Sequence, residues 1–335
     1  MVDRIRRRKL EPRARPPVTS FLDWGDVAGE PVVQICHPDW RGVRTVTYAF
    51  RAPVVECADL GVWGEELATL IREASPACVV IQGWPPGADG FARLLAGGGI
   101  RVKCVLHSSP AQHGGEPGEA AVADEVLGLA REGVLDGVGM VKAGVAEAFT
   151  RLGYPVTHVP NRAPVLPDAE PVDLGPGFHV GVFAEPFWRK NVTTQLLAVA
   201  LLEGRAHVIR RPPNNYLQGL EMVEHGELPH AEFTALQGSV DLNLYVTLSE
   251  CHPASPQESY LSGVPCLMSR TSSVFRDDPV LWELTTMAEL DNPSAIARAA
   301  VTLLDARSEA VERARVWIGR ADTEATERWA AFVDA

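Results

Sequence analysis

The chain has 335 residues, of which 46% are hydrophobic and 22% charged, and its formal net charge is −12. This length exceeds what one ordinary hydrophobic core supports, which favours two domains, and the acidic balance argues against a general nucleic-acid-binding protein. No apolar run approaches the ~20 residues that cross a bilayer and no signal peptide opens the chain, so we expect a cytoplasmic protein.

The six cysteines agree with this expectation. They are scattered singly, mostly inside apolar runs, and none forms a C-x-x-C pair. This pattern is typical of buried, reduced thiols rather than of disulfides or a metal site.

The amino-terminal segment differs from the rest of the chain. Residues 1–16 contain seven basic and two acidic residues, together with prolines and no apolar period. Over residues 1–20 we predict a disordered basic arm. The arm is either a solvated tail or makes at most a weak electrostatic contact with an anionic membrane surface.

Apolar strand-like runs alternate with helical periods from residue 31 onward, which predicts α/β domains with mostly parallel sheets. A proline- and glycine-rich linker, LPDAEPVDLGPG, then favours a domain boundary near residue 170. In the first half, strands are predicted over 31–36, 77–82, 102–106 and 137–142, and helices over 65–73, 91–96, 120–130 and 145–152.

The alternation restarts after the linker. Strands are predicted over 178–183, 206–210, 242–248, 264–269 and 285–290, and helices over 192–202, 217–223, 231–236, 293–304, 309–318 and 323–333.

The stretch from 241 to 278 has the most informative pattern. An apolar run ends at Leu248, the turn SECHPASP follows, and a helix is predicted to begin at 256–258 with Ser255 as its N-cap. Gly263 ends that helix before the next strand. The turn therefore lies at the carboxyl edge of a sheet, where open α/β sheets bind ligands.

Two glutamates stand on either side of this turn, Glu250 at the strand end and Glu258 at the helix start. Their spacing lets both side chains converge on one ligand over a helix N-terminus, which favours a phosphate. A nucleotide sugar has both the phosphates and the hydroxyls that such a site would bind. The alternative is that Glu258 only caps its helix and Glu250 is a solvated strand end.

This segment resembles the nucleotide-sugar site of GT-B fold glycosyltransferases, specifically the retaining family 4 type. The family pattern is Glu, seven residues, Glu, then Gly five positions and Pro seven positions further on, which here are Glu250, Glu258, Gly263 and Pro265. The resemblance implies that Glu258 binds the ribose hydroxyls and that Glu250 lies against the donor sugar near the reacting carbon. It also implies two Rossmann-like domains facing across a cleft, with the last helix returning to the first domain.

The same resemblance assigns a role to the turn after the first strand of the second half. A lysine there binds the donor diphosphate in the family, and Lys190, one of four lysines in the chain, has that place beside Arg189. The family usually has an arginine about five residues earlier, where this chain has Glu185. Either Arg189 substitutes for it or activity is weak, and the alternative for both basic residues is a solvated helix start.

Two further features concern the cleft, one that departs from the family pattern and one that matches it. The turn after the first glutamate is usually glycine-rich, but here it is Cys251-His252-Pro253, which narrows the pocket and removes one N–H donor. In the first half, His107 ends a strand where the family often has a histidine facing the donor sugar. It is either a cleft residue able to exchange a proton near neutral pH or a buried structural histidine.

The loop after the first strand lines the cleft in the family. The alternative for this chain is an ordinary turn with a tryptophan packed on the core. Its candidate cleft residues are His37, Trp40, Arg41, Gly42 and Arg44. Val159-Pro160-Asn161 resembles the segment that closes the first domain and would mark the hinge.

The resemblance leads to a definite set of predictions. The catalytic residues would be Glu250 and His107. The donor-binding residues would be Arg189, Lys190, Glu258, His252, Ser255 and Gly42. The domains would span 21–170 (acceptor), 171–320 (nucleotide sugar) and 321–335 (returning helix).

The predicted function is transfer of a sugar, with retention, from a nucleotide-sugar donor to a hydroxyl or amino acceptor. The predicted partners are therefore a nucleotide sugar and an unknown acceptor. No Asp-x-Asp pair ends a strand and no residues have metal-ligand spacing, so we predict neither a metal nor a further cofactor. The absence of G-x-G-x-x-G, P-loop and G-x-S-x-G motifs argues against dinucleotide oxidoreductases, P-loop enzymes and α/β-hydrolases. Two alternatives stay open: a nucleotide-sugar epimerase of the same fold, and a non-catalytic binding module.

Overall fold

The structure is a computed structural model that describes residues 29–335. It contains two six-stranded sheets, and every strand pair in both sheets is parallel. These sheets confirm the predicted α/β architecture. The predicted basic arm over residues 1–20 lies outside the described residues.

The first sheet has the order β2-β1-β3-β4-β5-β6. Its central strands are buried on both faces, which explains their continuous runs of valine, isoleucine and cysteine. The strands are β1 (Val32–Cys36), β2 (Val54–Glu56), β3 (Cys78–Gln82), β4 (Arg101–Leu106), β5 (Gly137–Met140) and β6 (Val156–His158).

Helices connect consecutive strands of this sheet. Asp59 caps one of them, because its carboxylate accepts from the N–H groups of Gly61 at 2.9 Å and Val62 at 3.2 Å. The helices are α1 (Arg41–Ala49), α2 (Leu60–Ala74), α3 (Ala88–Gly97), α4 (Pro110–Gly115), α5 (Pro117–Arg131) and α6 (Ala143–Arg151).

The second sheet has the order β12-β11-β10-β7-β8-β9. Chain order reverses between β7 and β10, as in a Rossmann fold, so these two strands form the topological switch point. The strands are β7 (His179–Val182), β8 (Arg205–Val208), β9 (Met222–Glu224), β10 (Leu242–Tyr245), β11 (Cys266–Ser269) and β12 (Thr286–Met287).

The helices of the second half surround this sheet. Two of them begin with a capping side chain followed by proline, with Asp278 and Asn292 as the caps. The helices are α7 (Val192–Leu201), α8 (His230–Ser239), α9 (Ala254–Leu261), α10 (Pro279–Thr285), α11 (Pro293–Asp305) and α12 (Arg307–Asp334).

Helix α12 begins on the second domain and ends on the first, which confirms the predicted return of the last helix. Near its end, Trp329 stacks on Phe50 with ring centroids 4.1 Å apart. The buried Lys103 ammonium of β4 donates to the carbonyl of Phe332, and Arg101 donates to that of Asp334 at 3.1 Å. These contacts satisfy carbonyls that the last turn of the helix leaves without an intrahelical partner.

Some predicted elements differ from the structure. Residues 217–223, predicted as a helix, contain the end of a short 3₁₀ turn (Asn215–Leu217) and part of β9, which pairs with β8 at the sheet edge. The two predicted terminal helices are one 28-residue helix, because Trp317, Ile318 and Ala325 continue the same buried stripe past Gly319. Strand β2 and helices α1, α4 and α10 had no specific prediction.

All six cysteines are free and buried, as expected from their positions in apolar runs. Burial raises the pKa of the Cys36 thiol to about 12, so this thiol is protonated at neutral pH. None of the helices between residues 29 and 335 is long and apolar enough to cross a membrane.

Candidate functional site

The turns that follow β7 and β10 meet at the carboxyl edge of the second sheet. The turn after β7 forms a 3₁₀ segment (Trp188–Lys190), and Asn191 follows it with a left-handed φ of 54°. The Asn191 amide donates to the carbonyls of Val246 at 3.1 Å and Leu290 at 2.6 Å. These two bonds fix the lysine-bearing turn against the end of β10, in a conformation that asparagine tolerates better than most residues.

A buried glutamine reinforces this arrangement. Gln195 of α7 donates to the carbonyl of Lys190 at 2.8 Å and accepts from the N–H of Val246 at 2.9 Å. One side chain thus holds both turns at the switch point, and the basic pair Arg189-Lys190 has a defined position relative to the residues that follow β10.

A charge cluster occupies this position. Lys190 donates to Oε1 of Glu250 and, at 2.6 Å, to the hydroxyl of Tyr245, which in turn donates to the same Oε1 at 3.0 Å. An Arg189 guanidinium nitrogen lies 3.7 Å from that oxygen. Burial, and then the Glu250 carboxylate, raise the pKa of Tyr245 well above its usual value, so its hydroxyl keeps the proton that it donates.

The cluster leaves part of the Glu250 carboxylate available. Every polar contact with the side chain of Glu250 is made by Oε1, and within residues 29–335 no hydrogen bond is made to Oε2. The side chain retains 10% exposure. One oxygen therefore belongs to the cationic cluster, and the other can accept from a ligand.

Glu258 lies on α9, and its environment is separate from that of Glu250. Its side chain is 5% exposed, and Oε1 lies 3.2 Å from Nε2 of His230 on α8. Glu258 and Glu250 have different partners in the described part of the chain, and their predicted convergence on one ligand stays a prediction. As with Glu250, the second carboxylate oxygen has no hydrogen bond among these residues.

The start of α9 differs from the prediction. The N-cap is Pro253, and Ser255 is the second helical residue, so Ser255 does not cap the helix. The reason is that the helix begins two residues earlier than predicted, at Ala254. Pro253 and Pro256 have no N–H groups, and the first turn therefore offers a ligand only those of Ala254 and Ser255.

Residues 246–253, which follow β10, are called the donor turn after their predicted role, and His252 connects this turn to the predicted hinge at Val159-Pro160-Asn161. Its Nδ1 accepts from the N–H of Asn161 at 3.1 Å, and its carbonyl accepts from the Asn161 amide at 2.8 Å. Burial, with a contribution from His158, lowers the pKa of His252 to about 4, so it is neutral. The structure places His252 on the hinge side of the turn, while its predicted contact with the donor stays a prediction.

Residues of the first domain face this cluster across the domain interface. Lys142, just after β5, donates to the carbonyls of Glu250 at 2.8 Å and Thr271 at 2.9 Å. The hydroxyls of Ser109 and Ser249 are 2.5 Å apart. Glu116 lies 3.4 Å from Nε of Arg189.

His107 lies two residues before Ser109, at the carboxyl end of β4. Its Nε2 is 3.0 Å from Oε1 of Gln82 at the end of β3. Burial lowers the pKa of His107 to about 4. The lowered pKa favours the second interpretation of His107, a buried histidine that is neutral at pH 7, and its catalytic role stays a prediction.

The predicted cleft loop after β1 forms α1 and its approach. His37 stacks on Trp40 with ring centroids 4.8 Å apart, and Arg41 donates at 2.5 Å to the carbonyl of Leu228 in the second domain. Helix α1 also contacts α9. A Cβ atom on Gly42 would meet nothing within 4 Å, so packing does not require glycine there and its donor-binding role stays a prediction. Arg44 instead lies 3.6 Å from Glu56.

Several residues of this site were missed by the sequence reasoning. They are Tyr245, Lys142, His230 and the serine pair Ser109 and Ser249. Lys142 could have been found, because it is the last residue of the predicted strand over 137–142 in a chain that has only four lysines. The contacts of the others depend on the pairing of distant elements, which leaves no local pattern.

Comparison with known proteins identifies the fold. No protein-family model and no curated protein matches the sequence. Solved structures do match: HepE from Anabaena in complex with UDP-glucose, at 13% identity, covers 90% of this chain and 99% of its own with a TM-score of 0.66. An α,α-trehalose-phosphate synthase (UDP-forming) from Burkholderia xenovorans in complex with glucose-6-phosphate covers 91% and 100% at 12% identity, with a TM-score of 0.63.

A third match, the apo structure of OtsA, covers 91% of this chain and 98% of its own at 12% identity, with a TM-score of 0.62. At these identities the comparison shows the fold alone. The chain has the GT-B fold, with two α/β domains facing each other, as the sequence pattern led us to expect.

Proposed function

We propose that this GT-B chain is a glycosyltransferase that moves a sugar from a nucleotide-diphosphate donor to a hydroxyl or amino acceptor. One observation carries the proposal: Arg189, Lys190 and Glu250 share a cluster at the switch point of the second sheet, opposite Lys142 and Ser109 of the first domain. Ligands of open α/β sheets bind at such points. The bound UDP-glucose of HepE supports a nucleoside-diphosphate sugar as the donor class.

Lys190 and Arg189 would bind the donor diphosphate. Negative charge grows on this leaving group as the glycosidic bond breaks, and fixed cations stabilise it in the transition state. Arg189 supplies the second cation that the family pattern places near position 185. Glu185 itself lies 3.9 Å from Arg210, away from this role.

The two glutamates would bind the hydroxyl groups of the donor. Oε2 of Glu250 would accept from the transferred sugar and Oε2 of Glu258 from the ribose, because in each case Oε1 is already used within the protein. His230 would hold the Glu258 carboxylate in place. The Glu-x7-Glu spacing supports the retaining family 4 type within the GT-B fold.

We further propose retention by front-side attack, with the leaving phosphate accepting the proton of the acceptor hydroxyl. The two basic side chains would supply the charge stabilisation, so we expect catalysis without a metal ion. The first domain, over residues 21–170, would bind the acceptor, and residues 171–320 the donor.

A ligand screen followed by product analysis tests the function. Thermal shift with UDP, GDP, ADP and TDP identifies the donor base, since a ligand that prefers the folded state raises Tm. The matching sugar donors are then incubated with an acceptor panel, with and without EDTA, and the anomeric configuration of the product is read by NMR.

Each outcome of this experiment has one meaning. A product with the donor's anomeric configuration at an EDTA-independent rate supports the whole proposal, and inversion or loss of activity with EDTA overturns the corresponding part. Conversion of the donor into an isomeric nucleotide sugar without acceptor indicates an epimerase. Donor binding with no product from any acceptor indicates a binding module.

A further inference from the structure

A chain of buried polar side chains crosses three neighbouring strands of the first sheet. Gln34 lies on β1 and Gln82 at the end of β3, and both are completely buried. His107 directly follows β4, and the sheet order β1-β3-β4 makes the three side chains neighbours. Buried amides in an otherwise apolar sheet are costly unless they are hydrogen-bonded, so their pairing defines what they do.

The direction of each hydrogen bond in this chain is fixed from one end. Nε2 of Gln34 donates to the carbonyls of Thr47 at 3.1 Å and Ala52 at 3.4 Å. Because carbonyls only accept, the amide of Gln34 has one orientation, with Oε1 facing Gln82. That oxygen accepts from Nε2 of Gln82 at 2.8 Å.

The remaining atom of the second glutamine determines the state of the histidine. Oε1 of Gln82 can only accept, and it lies 3.0 Å from Nε2 of His107. Nε2 of His107 must therefore carry a hydrogen. Since the ring is neutral at pH 7, Nδ1 has a free lone pair, and no residue between 29 and 335 donates a hydrogen bond to it.

The location of His107 gives this lone pair a use. Two residues further on, Ser109 contacts Ser249 of the second domain, which directly precedes Glu250. The segment that follows β4 is thus part of the wall that faces the donor turn. A substrate hydroxyl in this region would find an acceptor at Nδ1.

We propose that Gln34 and Gln82 are positioning residues that hold His107 as the Nε2–H tautomer, so that Nδ1 accepts a hydrogen bond from a substrate hydroxyl. The assignment to a substrate hydroxyl rests on the proposed function, whereas the tautomer does not. His107 then orients a hydroxyl rather than donating a proton to one.

Long-range ¹H–¹⁵N correlation spectra of protein labelled with ¹⁵N-histidine test the tautomer directly. His107, assigned by its loss in His107→Gln, is expected to show a protonated Nε2 and an unprotonated Nδ1 from pH 5 to 8. A protonated Nδ1, or titration near pH 6.5, would overturn the proposal.

Two substitutions of Gln82 test the role of the glutamines. Gln82→Met keeps the length of the side chain but removes its hydrogen bonds, and we expect His107 to become a mixture of both tautomers. Gln82→Glu places a carboxylate beside Nε2, which favours the imidazolium and raises the pH at which His107 titrates. Unchanged spectra in both variants would overturn the proposal.

Lys103→Met serves as the matched control, because Lys103 is a buried polar residue of β4, the strand that His107 follows, but bonds to α12. We expect Lys103→Met to leave the His107 spectrum unchanged. An effect equal to that of Gln82→Met would mean that the spectrum responds to any change in the sheet, which would overturn the positioning role of Gln34 and Gln82.

Turnover separates this proposal from the proposed function. With an active donor, Gln82→Met should lower kcat about three- to tenfold, the effect of one net hydrogen bond, with a smaller change in the donor KM. If no donor supports turnover, the proposed function fails while the tautomer result stands. If transfer occurs and Gln82→Met changes the tautomer but not kcat or KM, the contact with a substrate hydroxyl is overturned.

Discussion

Lys190 and Glu250 form an ion pair although 60 positions separate them, since one follows β7 and the other follows the adjacent strand β10. Both side chains are largely buried, with 14% and 10% exposure. A donor diphosphate bound at Lys190 would have to share the ammonium with Glu250 and Tyr245. Binding and charge rearrangement at this point are therefore coupled.

The first prediction concerns the cation. Lys190→Met should lower kcat about 10²- to 10³-fold, the usual effect of removing a group that stabilises transition-state charge. It should also lower the free energy of unfolding by about 2 kcal/mol, because Glu250 loses its closest partner while largely buried. Steady-state kinetics and urea denaturation measure both effects.

Two further variants serve as controls for Lys190→Met. Arg205→Met removes a basic residue that pairs with Glu221 at 2.5 Å at the amino edge of the sheet, opposite to the edge that carries the charge cluster, and it should retain wild-type kcat. The double variant Lys190→Met with Glu250→Gln should recover stability but not turnover. Wild-type turnover in Lys190→Met would remove this lysine from the mechanism.

Glu250→Gln tests the carboxylate itself. The amide keeps the shape of the side chain but leaves Lys190 and Arg189 without a compensating charge, so affinity for a nucleoside diphosphate should stay the same or increase. Turnover should nevertheless fall about 100-fold, because the hydrogen bond to the sugar loses its charged acceptor. Calorimetry and kinetics separate the two effects.

Glu185→Gln is the matched control for this substitution, since Glu185 lies in the neighbouring turn after β7 but pairs with Arg210. It should behave as wild type. Full turnover in Glu250→Gln would exclude a role for its negative charge.

The ribose contact of Glu258 can be tested with a modified ligand. Glu258→Ala should weaken binding of a ribonucleoside diphosphate about 10- to 100-fold, the range for hydrogen bonds to a charged group. The same substitution should affect the 2′,3′-dideoxy analogue far less, because the lost partner is already absent. Equal losses for both ligands in titration calorimetry would mean that Glu258 does not contact the ribose.

Lys142 joins the first domain to the donor turn. Lys142→Met removes the donor to the carbonyls of Glu250 and Thr271, so the donor turn should open more often. We expect faster hydrogen exchange over residues 248–252 and about tenfold weaker donor binding. Lys103→Met, which removes a buried lysine of the first domain that bonds to the end of α12 and not to the donor turn, should change neither, and equal effects of the two would contradict the assignment.

Three histidines in the second sheet predict a pH dependence of stability. Nε2 of His179 lies 3.2 Å from the carbonyl of Gly175, its Nδ1 is 2.9 Å from His207, and His207 is 2.9 Å from His225. Because the carbonyl can only accept, Nε2 of His179 donates to it, so His207 donates through Nε2 to His179 and accepts at Nδ1 from His225, which requires a neutral His207 ring. Burial, followed by the charges of His225, His179 and Arg205, lowers the pKa of His207 to about 4.

The sign of this dependence follows from proton counting. Between pH 6.5 and 4 an unfolded His207 binds a proton that the folded one does not, so stability falls as the pH falls through this window. His207→Gln can still donate to His179 and accept from His225. It should reduce the slope of unfolding free energy against pH by up to one proton, and an unchanged slope would contradict the depressed pKa.

The sequence was a good guide where the signal is local. The apolar runs of β3 and β4 are long enough to predict strands, and since the carboxyl ends of parallel strands meet at one edge, Lys190 and Glu250 could be placed near each other. Strand β2 has only three residues and no comparable signal. Residues 217–223 have a helical period, but Met222 pairs with Ala206 of β8 instead.

The parts of the site that escaped prediction depend on sheet order. Gln34 and Gln82 each stand as one polar residue in an apolar strand, and only the placement of β3 beside β1 makes them partners. Likewise, the approach of Ser109 to Ser249 depends on how two domains face each other. No spacing along the chain encodes either contact.

The course of α12 has a consequence for motion between the domains. In its first half, Arg315 donates to the carbonyls of Tyr260 and Leu261 on α9, and its end packs on β4. Between these contacts, Asp322 accepts two hydrogen bonds, at 2.9 and 2.7 Å, from Arg162, which directly follows the predicted hinge. The Arg162–Asp322 pair thus ties the start of the interdomain linker to the middle of α12. We expect any rotation of one domain against the other to displace residues beside this pair least and residues far from it most.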